Sequence, residues 1–138
     1  MRLNLRRFAL EPEQQRAAML EATAASVAQM KGPFRNRLLV AVFIQPERTK
    51  SGLILPDKTL DEAKFQGKAG LVLKLGPMAF KFDDEEQISA PEVGDWVFFR
   101  AADSWDCAIS VGGGEGVVCR LVFDDCIVGV VDDPESIW

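Results

Sequence analysis

The sequence predicts an all-β fold, a barrel or sandwich, with a helical extension at its N-terminus. Three observations lead there. From residue 33 onward, short apolar segments recur at intervals of about ten residues. Glycine and proline punctuate the gaps between them, as closely spaced antiparallel strands require. Helix-forming composition is confined to residues 13–31, rich in Ala, Gln, Glu and Met. The chain of 138 residues is therefore divided into an arm and helix over 1–32 and a β domain over 33–138.

Residues 1–10 alternate loosely and suit an extended arm. Pro12 fits the first turn of a helix, and Gly32-Pro33 closes it. Leu20, Ala24 and Val27 share one stripe of that helix. An alanine-rich stripe buries little area, so the helix is expected to lie at the periphery or against another subunit. The strands that follow are expected at residues 38–44, 70–75, 96–100, 107–111, 117–123 and 126–131. Residues 112–116, Gly-Gly-Gly-Glu-Gly, read as a hairpin turn, because no strand-to-helix context and no Gly-Lys-Ser/Thr ending supports a phosphate loop. Asp83-Asp84-Glu85-Glu86 reads as an exposed hairpin tip, and Asp124-Asp125 and Asp132-Asp133 as turn residues at strand ends.

One stretch conflicts with its surroundings. Leu53, Ile54 and Leu55 are consecutive large aliphatics set between Arg48-Thr49-Lys50-Ser51-Gly52 and Pro56-Asp57-Lys58-Thr59. A half-buried strand would alternate, and a fully buried one would not be fenced by two polar, turn-like flanks. Long connections in compact domains tend to be functional. An apolar tripeptide carried outward on such a connection is a docking element, although pattern alone also allows an ordinary short core strand.

Composition removes several classes. Hydrophobic residues make up 48% of the chain, yet no apolar run approaches the roughly 20 residues that span a bilayer, so no membrane partner is expected. The net charge of −5 opposes binding to a nucleic-acid backbone. Charge is uneven: residues 1–40 hold seven bases and three acids, the remainder nine bases and eighteen acids. A basic arm can dock on the acidic body of a neighbouring copy. There is no histidine, and Cys107, Cys119 and Cys126 lack CxxC spacing, so neither a zinc site nor any other cofactor is expected. The cysteines read as small buried hydrophobes in a reducing compartment, and the cytoplasm is the expected location. Without a Ser-His or Cys-His pair, a Walker motif or a dinucleotide fingerprint, nothing in the chain asks for an enzyme.

The order of the pieces resembles the GroES-type co-chaperonins, the ten-kilodalton ring partners of the large chaperonin. Pro33-Phe34-Arg35-Asn36-Arg37-Leu38-Leu39-Val40 is similar to that family's opening strand. Thr49-Lys50-Ser51-Gly52-Leu53-Ile54-Leu55-Pro56 is similar to its mobile loop. Gly67-Lys68-Ala69-Gly70-Leu71-Val72-Leu73-Lys74-Leu75-Gly76 resembles its Gly-x-Val-x-x-Val-Gly strand, and Val93-Gly94-Asp95-Trp96-Val97 its Val-Gly-Asp-x-Val strand. Asp125-Cys126-Ile127-Val128-Gly129-Val130-Val131 resembles the closing strand. The likeness covers residues 33–133; each piece alone is weak, and five in order are strong.

The resemblance implies a partly open β-barrel with a long mobile loop and a roof hairpin. It implies a homo-oligomer, a heptameric ring, that caps a large ATP-dependent chaperonin while a client protein folds inside. Gly52, Leu53, Ile54 and Leu55 would then contact the chaperonin. The first strand, with Arg37, Leu38, Leu39 and Val40, would pair between subunits with the last, with Ile127, Val128 and Val130. Asp83, Asp84, Glu85 and Glu86 would tip the roof hairpin of residues 80–88 near the ring axis. Two departures stand out: residues 1–32 have no counterpart in the usual co-chaperonin, and Trp105 lies where the family often has tyrosine, a residue this chain lacks entirely. Such divergence suits a virus-encoded co-chaperonin fitted to a bulky client. It equally suits a protein that kept the barrel as a structural or assembly component of a virus particle, without chaperone activity.

Overall fold

The computed structural model describes residues 11–44, 69–81, 90–100, 104–112 and 115–136. One helix, α1 (Pro12–Gln29), precedes six strands: β1 (Arg37–Val42), β2 (Ala69–Leu75), β3 (Trp96–Phe99), β4 (Trp105–Gly112), β5 (Glu115–Phe123) and β6 (Ile127–Val130). They form a single antiparallel sheet in the order β4-β5-β1-β2-β3-β6. The chain is thus mostly β with one N-terminal helix, the partly open GroES-like fold expected.

The continuous apolar run of β1 follows from its place in the middle of the sheet, where both faces are buried. Side chains alternate across a strand, so Leu39, Ala41 and Phe43 join Leu71, Leu73, Trp96, Ile109, Val117 and Cys119 on one face. Leu38 and Val40 join Val72, Val97, Phe99, Val122 and Cys126 on the other. The first face is completed by Met19 of α1. Among the described residues no α-helix joins the second; its side chains are buried against one another. A register shift between Leu39 and Val40 in the pairing with β2 bends the centre of the sheet.

Helix α1 departs from expectation. Its buried positions are Pro12, Gln15, Met19 and Thr23, not a Leu20-Ala24-Val27 stripe; Ala24 is exposed and Leu20 and Val27 are only partly covered. Nor is it peripheral to its own subunit, since Met19 is fully buried in the larger core cluster. The buried polar side chains of α1 are satisfied. The Thr23 hydroxyl donates to the Met19 carbonyl at 2.7 Å, and the Gln15 amide finds backbone partners described below. Among the described residues no helix is long and apolar enough to cross a membrane.

Candidate functional site

The residues singled out for docking, Gly52, Leu53, Ile54 and Leu55, and the acidic tip, Asp83, Asp84, Glu85 and Glu86, lie outside the described residues. The points where those two connections leave and rejoin the sheet are described, and each is held by a buried polar side chain.

The first root is at Ile44 and Ala69. Phe43 continues β1 by donating its N–H to the Ala69 carbonyl at 2.9 Å. At Ile44 the sheet offers no strand, and the backbone is paired by Gln15 instead. Its Nε2 donates to the Ile44 carbonyl at 3.0 Å, and its Oε1 accepts the Ile44 N–H at 2.9 Å. A single carboxamide thereby reproduces the donor and acceptor of a neighbouring strand, and it does so with no exposure to solvent. Phe43 is fixed from below by the edge of the Trp96 ring, with centroids 5.3 Å apart and planes at 84°. At the other end of α1, Lys74 of β2 donates to the carbonyls of Val27 and Met30, placing a positive charge at the helix C-terminus where the macrodipole favours it.

The second root is at Phe80. Asp124, nearly fully buried in a 3-10 turn between β5 and β6, accepts the Phe80 N–H at 2.9 Å through Oδ2 and the Asn36 amide at 2.9 Å through Oδ1. Its own N–H donates to the Asn36 carbonyl at 2.9 Å. Phe80 and Arg35 both take positive φ, 59° each, a conformation that costs energy in non-glycine residues and persists only where neighbours impose it. Gly76 permits the packing between them: a Cβ there would lie 2.4 Å from the Arg35 carbonyl oxygen and 2.8 Å from that of Arg37.

The expected subunit-interface residues separate into two groups. Arg37, Leu38, Leu39 and Val40 lie in β1, whose two edges are hydrogen-bonded within the chain, to β2 on one side and β5 on the other. Leu38, Leu39 and Val40 are buried, and Arg37 stacks its guanidinium over Phe123 at 5.0 Å. Both edges of this strand are therefore taken up within the chain over these residues. Ile127, Val128 and Val130 lie in β6, which among the described residues is an end strand paired with β3 alone. Val128 and Val130 are 62% and 48% exposed. Just before β1, residues 30–34 form one wall of an apolar groove of about 270 Å³, with Trp105, Cys107 and Leu121 on the facing wall. Phe34 and Trp105 stand exposed beside it.

Cys119 and Cys126 are buried and Cys107 is half-buried; all three thiols are free. Burial, followed by the neighbouring Cys107, pushes Cys119 up to about 12, and burial with Asp106 nearby raises Cys107. Such thiols are poor nucleophiles.

The polar groups at both roots escaped sequence reasoning. Gln15 shares its helical face with Met19, four residues on, but a glutamine there reads as a solvent contact. Asp124 reads as a turn former. Only their pairing with the backbone of Ile44 and Phe80 reveals what each is for.

The model of the family described as Chaperonin 10 Kd subunit matches residues 30–128. The match opens directly after α1, spans both connections, and ends within β6.

Proposed function

Because the chain belongs to the chaperonin 10 Kd subunit family, whose members are co-chaperonins that assemble and work with a large chaperonin, we propose that it forms a ring capping a large ATP-dependent chaperonin and assists folding of a client protein without enzymatic activity. The docking element in this proposal is Gly52-Leu53-Ile54-Leu55, and the supporting observation is the family match across residues 30–128. The described roots at Ile44 and Ala69 are consistent with it. They bring both ends of the connection to one place on the sheet, paired through Phe43 and Ala69.

The physics favours weak single contacts. Burying one Leu or Ile side chain is worth roughly 1.5 to 3 kcal/mol, and ordering the segment that carries it consumes much of that. Several tripeptides on one ring bind together because each later contact is intramolecular. Weak individual contacts also allow release when the chaperonin's nucleotide state changes.

For the ring itself, the unpaired edge of β6 with its exposed Val128 and Val130 supports strand addition by a neighbouring subunit. The partner segment we propose is residues 30–34, which no strand of the chain contains and whose Phe34 is exposed. Seven copies would close the ring, in the cytoplasm, with Asp83, Asp84, Glu85 and Glu86 around its axis, where like charges repel and keep the roof loose.

The test is comigration with a double-ring chaperonin on native gels, with and without ADP or ATP. Wild-type protein is expected to comigrate only with nucleotide, and Ile54→Asp to lose comigration while its ring stays intact. Comigration unchanged by Ile54→Asp would remove the tripeptide from the mechanism. A chain that assembles with itself but never with a chaperonin would instead mark a structural component of a larger particle.

A further inference from the structure

We infer that α1 is a positioning element for chaperonin binding, acting through Gln15, which fixes the direction in which the chain leaves the sheet at Ile44. The inference rests on the docking role proposed for Leu53-Ile54-Leu55. Its own support lies elsewhere, in the contacts that α1, a helix outside the family match, makes with the sheet.

Helix α1 ends at Gln29 and the match begins at residue 30. The helix is nevertheless built into the subunit. Met19 is fully buried beneath Phe43 and Trp96, Lys74 holds the C-terminal carbonyls, and Arg16 reaches the Gly94 carbonyl at 3.4 Å. Apolar packing would suffice to dock a helix. Gln15 adds something that packing does not need. Burying an amide is unfavourable unless its donor and acceptor are both paired, and here both partners belong to one residue, Ile44, immediately before residues 45–68. A residue tied at both its N–H and its C=O has its φ and ψ fixed from outside. Ile44, the last described residue before that connection, is therefore held in one conformation. Binding then has less conformational freedom to remove, and affinity gained through preorganisation is multiplied across the copies in a ring.

The discriminating variant is Gln15→Met, which keeps length and volume while removing both hydrogen bonds. Three quantities are measured on the full-length assembly: amide exchange at Ile44, thermal stability, and affinity for an ADP-loaded double-ring chaperonin. Faster exchange at Ile44, a melting temperature within a few degrees of wild type, and at least about tenfold weaker binding are expected. Lys74→Met, which loosens the far end of α1 and leaves the Ile44 pairing intact, should bind as wild type does; a loss equal to that of Gln15→Met would reduce Gln15 to a general stabiliser and overturn the inference. Wild-type or tighter binding by Gln15→Met, with Ile44 exchange now fast, would also overturn it and leave the proposed function standing. If Ile54→Asp binds undiminished, the proposed function fails and the inference with it. Should Gln15→Met not fold, Gln15→Glu keeps the acceptor for the Ile44 N–H and loses the donor. An intermediate loss of affinity supports the inference, and undiminished affinity overturns it.

Discussion

The roots of the two connections solve the same problem with different chemistry. At Ile44 the backbone is paired by a neutral amide borrowed from α1, a helix outside the family match. At Phe80 it is paired by a carboxylate of the barrel itself, Asp124, which also gathers Asn36. The first arrangement can be changed without touching the sheet. The second is tied to the turn joining β5 and β6, so altering it alters the barrel. An appended element thus offers a place where the docking segment can be tuned separately from the scaffold.

Met19→Ala should break the comparison most severely. Emptying a fully buried site among Phe43 and Trp96 costs about 2–5 kcal/mol. Its effect should concentrate at the first root: exchange at Ile44 accelerates while exchange at Phe80 stays slow. Equal acceleration at both would mean that the roots are not independent.

Asp124→Ala reverses the pattern. It leaves the Phe80 N–H and the Asn36 amide, both half-buried, without this acceptor, at roughly 1 to 3 kcal/mol. Denaturant unfolding should register that loss, with exchange rising at Phe80 and unchanged at Ile44.

The smallest effect is a pH dependence belonging to neither root. A thiol that ordinarily ionises near 9.0 stays neutral to about 12 in Cys119. The unfolded chain therefore loses this proton first, so stability declines as pH rises from about 9 towards 12, and the group adds no slope below 9. As pH rises through that window the denaturant midpoint of wild type should fall relative to that of Cys119→Val; parallel curves would place the thiol in a less buried setting.

The sheet was legible because its strands are dictated by local pattern. Residues 38–42 and 69–75 are near-continuous hydrophobic runs, as strands covered on both faces must be, and the segments around Trp96 and Val117 each follow a glycine-marked turn. The existence of α1 was equally plain, yet its buried face was not. Leu20, Ala24 and Val27 form an apolar stripe by spacing, whereas the buried face is that of Gln15, Met19 and Thr23, with Gln15 turned inward to the two backbone groups that Ile44 presents. Nothing local to residues 37–40 shows that β2 and β5 occupy both edges; that is a property of strand order. The docking tripeptide itself, Leu53-Ile54-Leu55, was read from its conflict with its neighbours and lies outside the described residues.

The most direct measurement is single-particle imaging of this protein bound to a double-ring chaperonin with ADP. The account predicts density for Leu53, Ile54 and Leu55 seated in an apolar cleft of each engaged chaperonin subunit, with α1 still packed on its own sheet and Gln15 still paired to Ile44. A complex whose contacts are made by α1 or by the rim of the barrel, with the tripeptide touching only its own subunit, would contradict it.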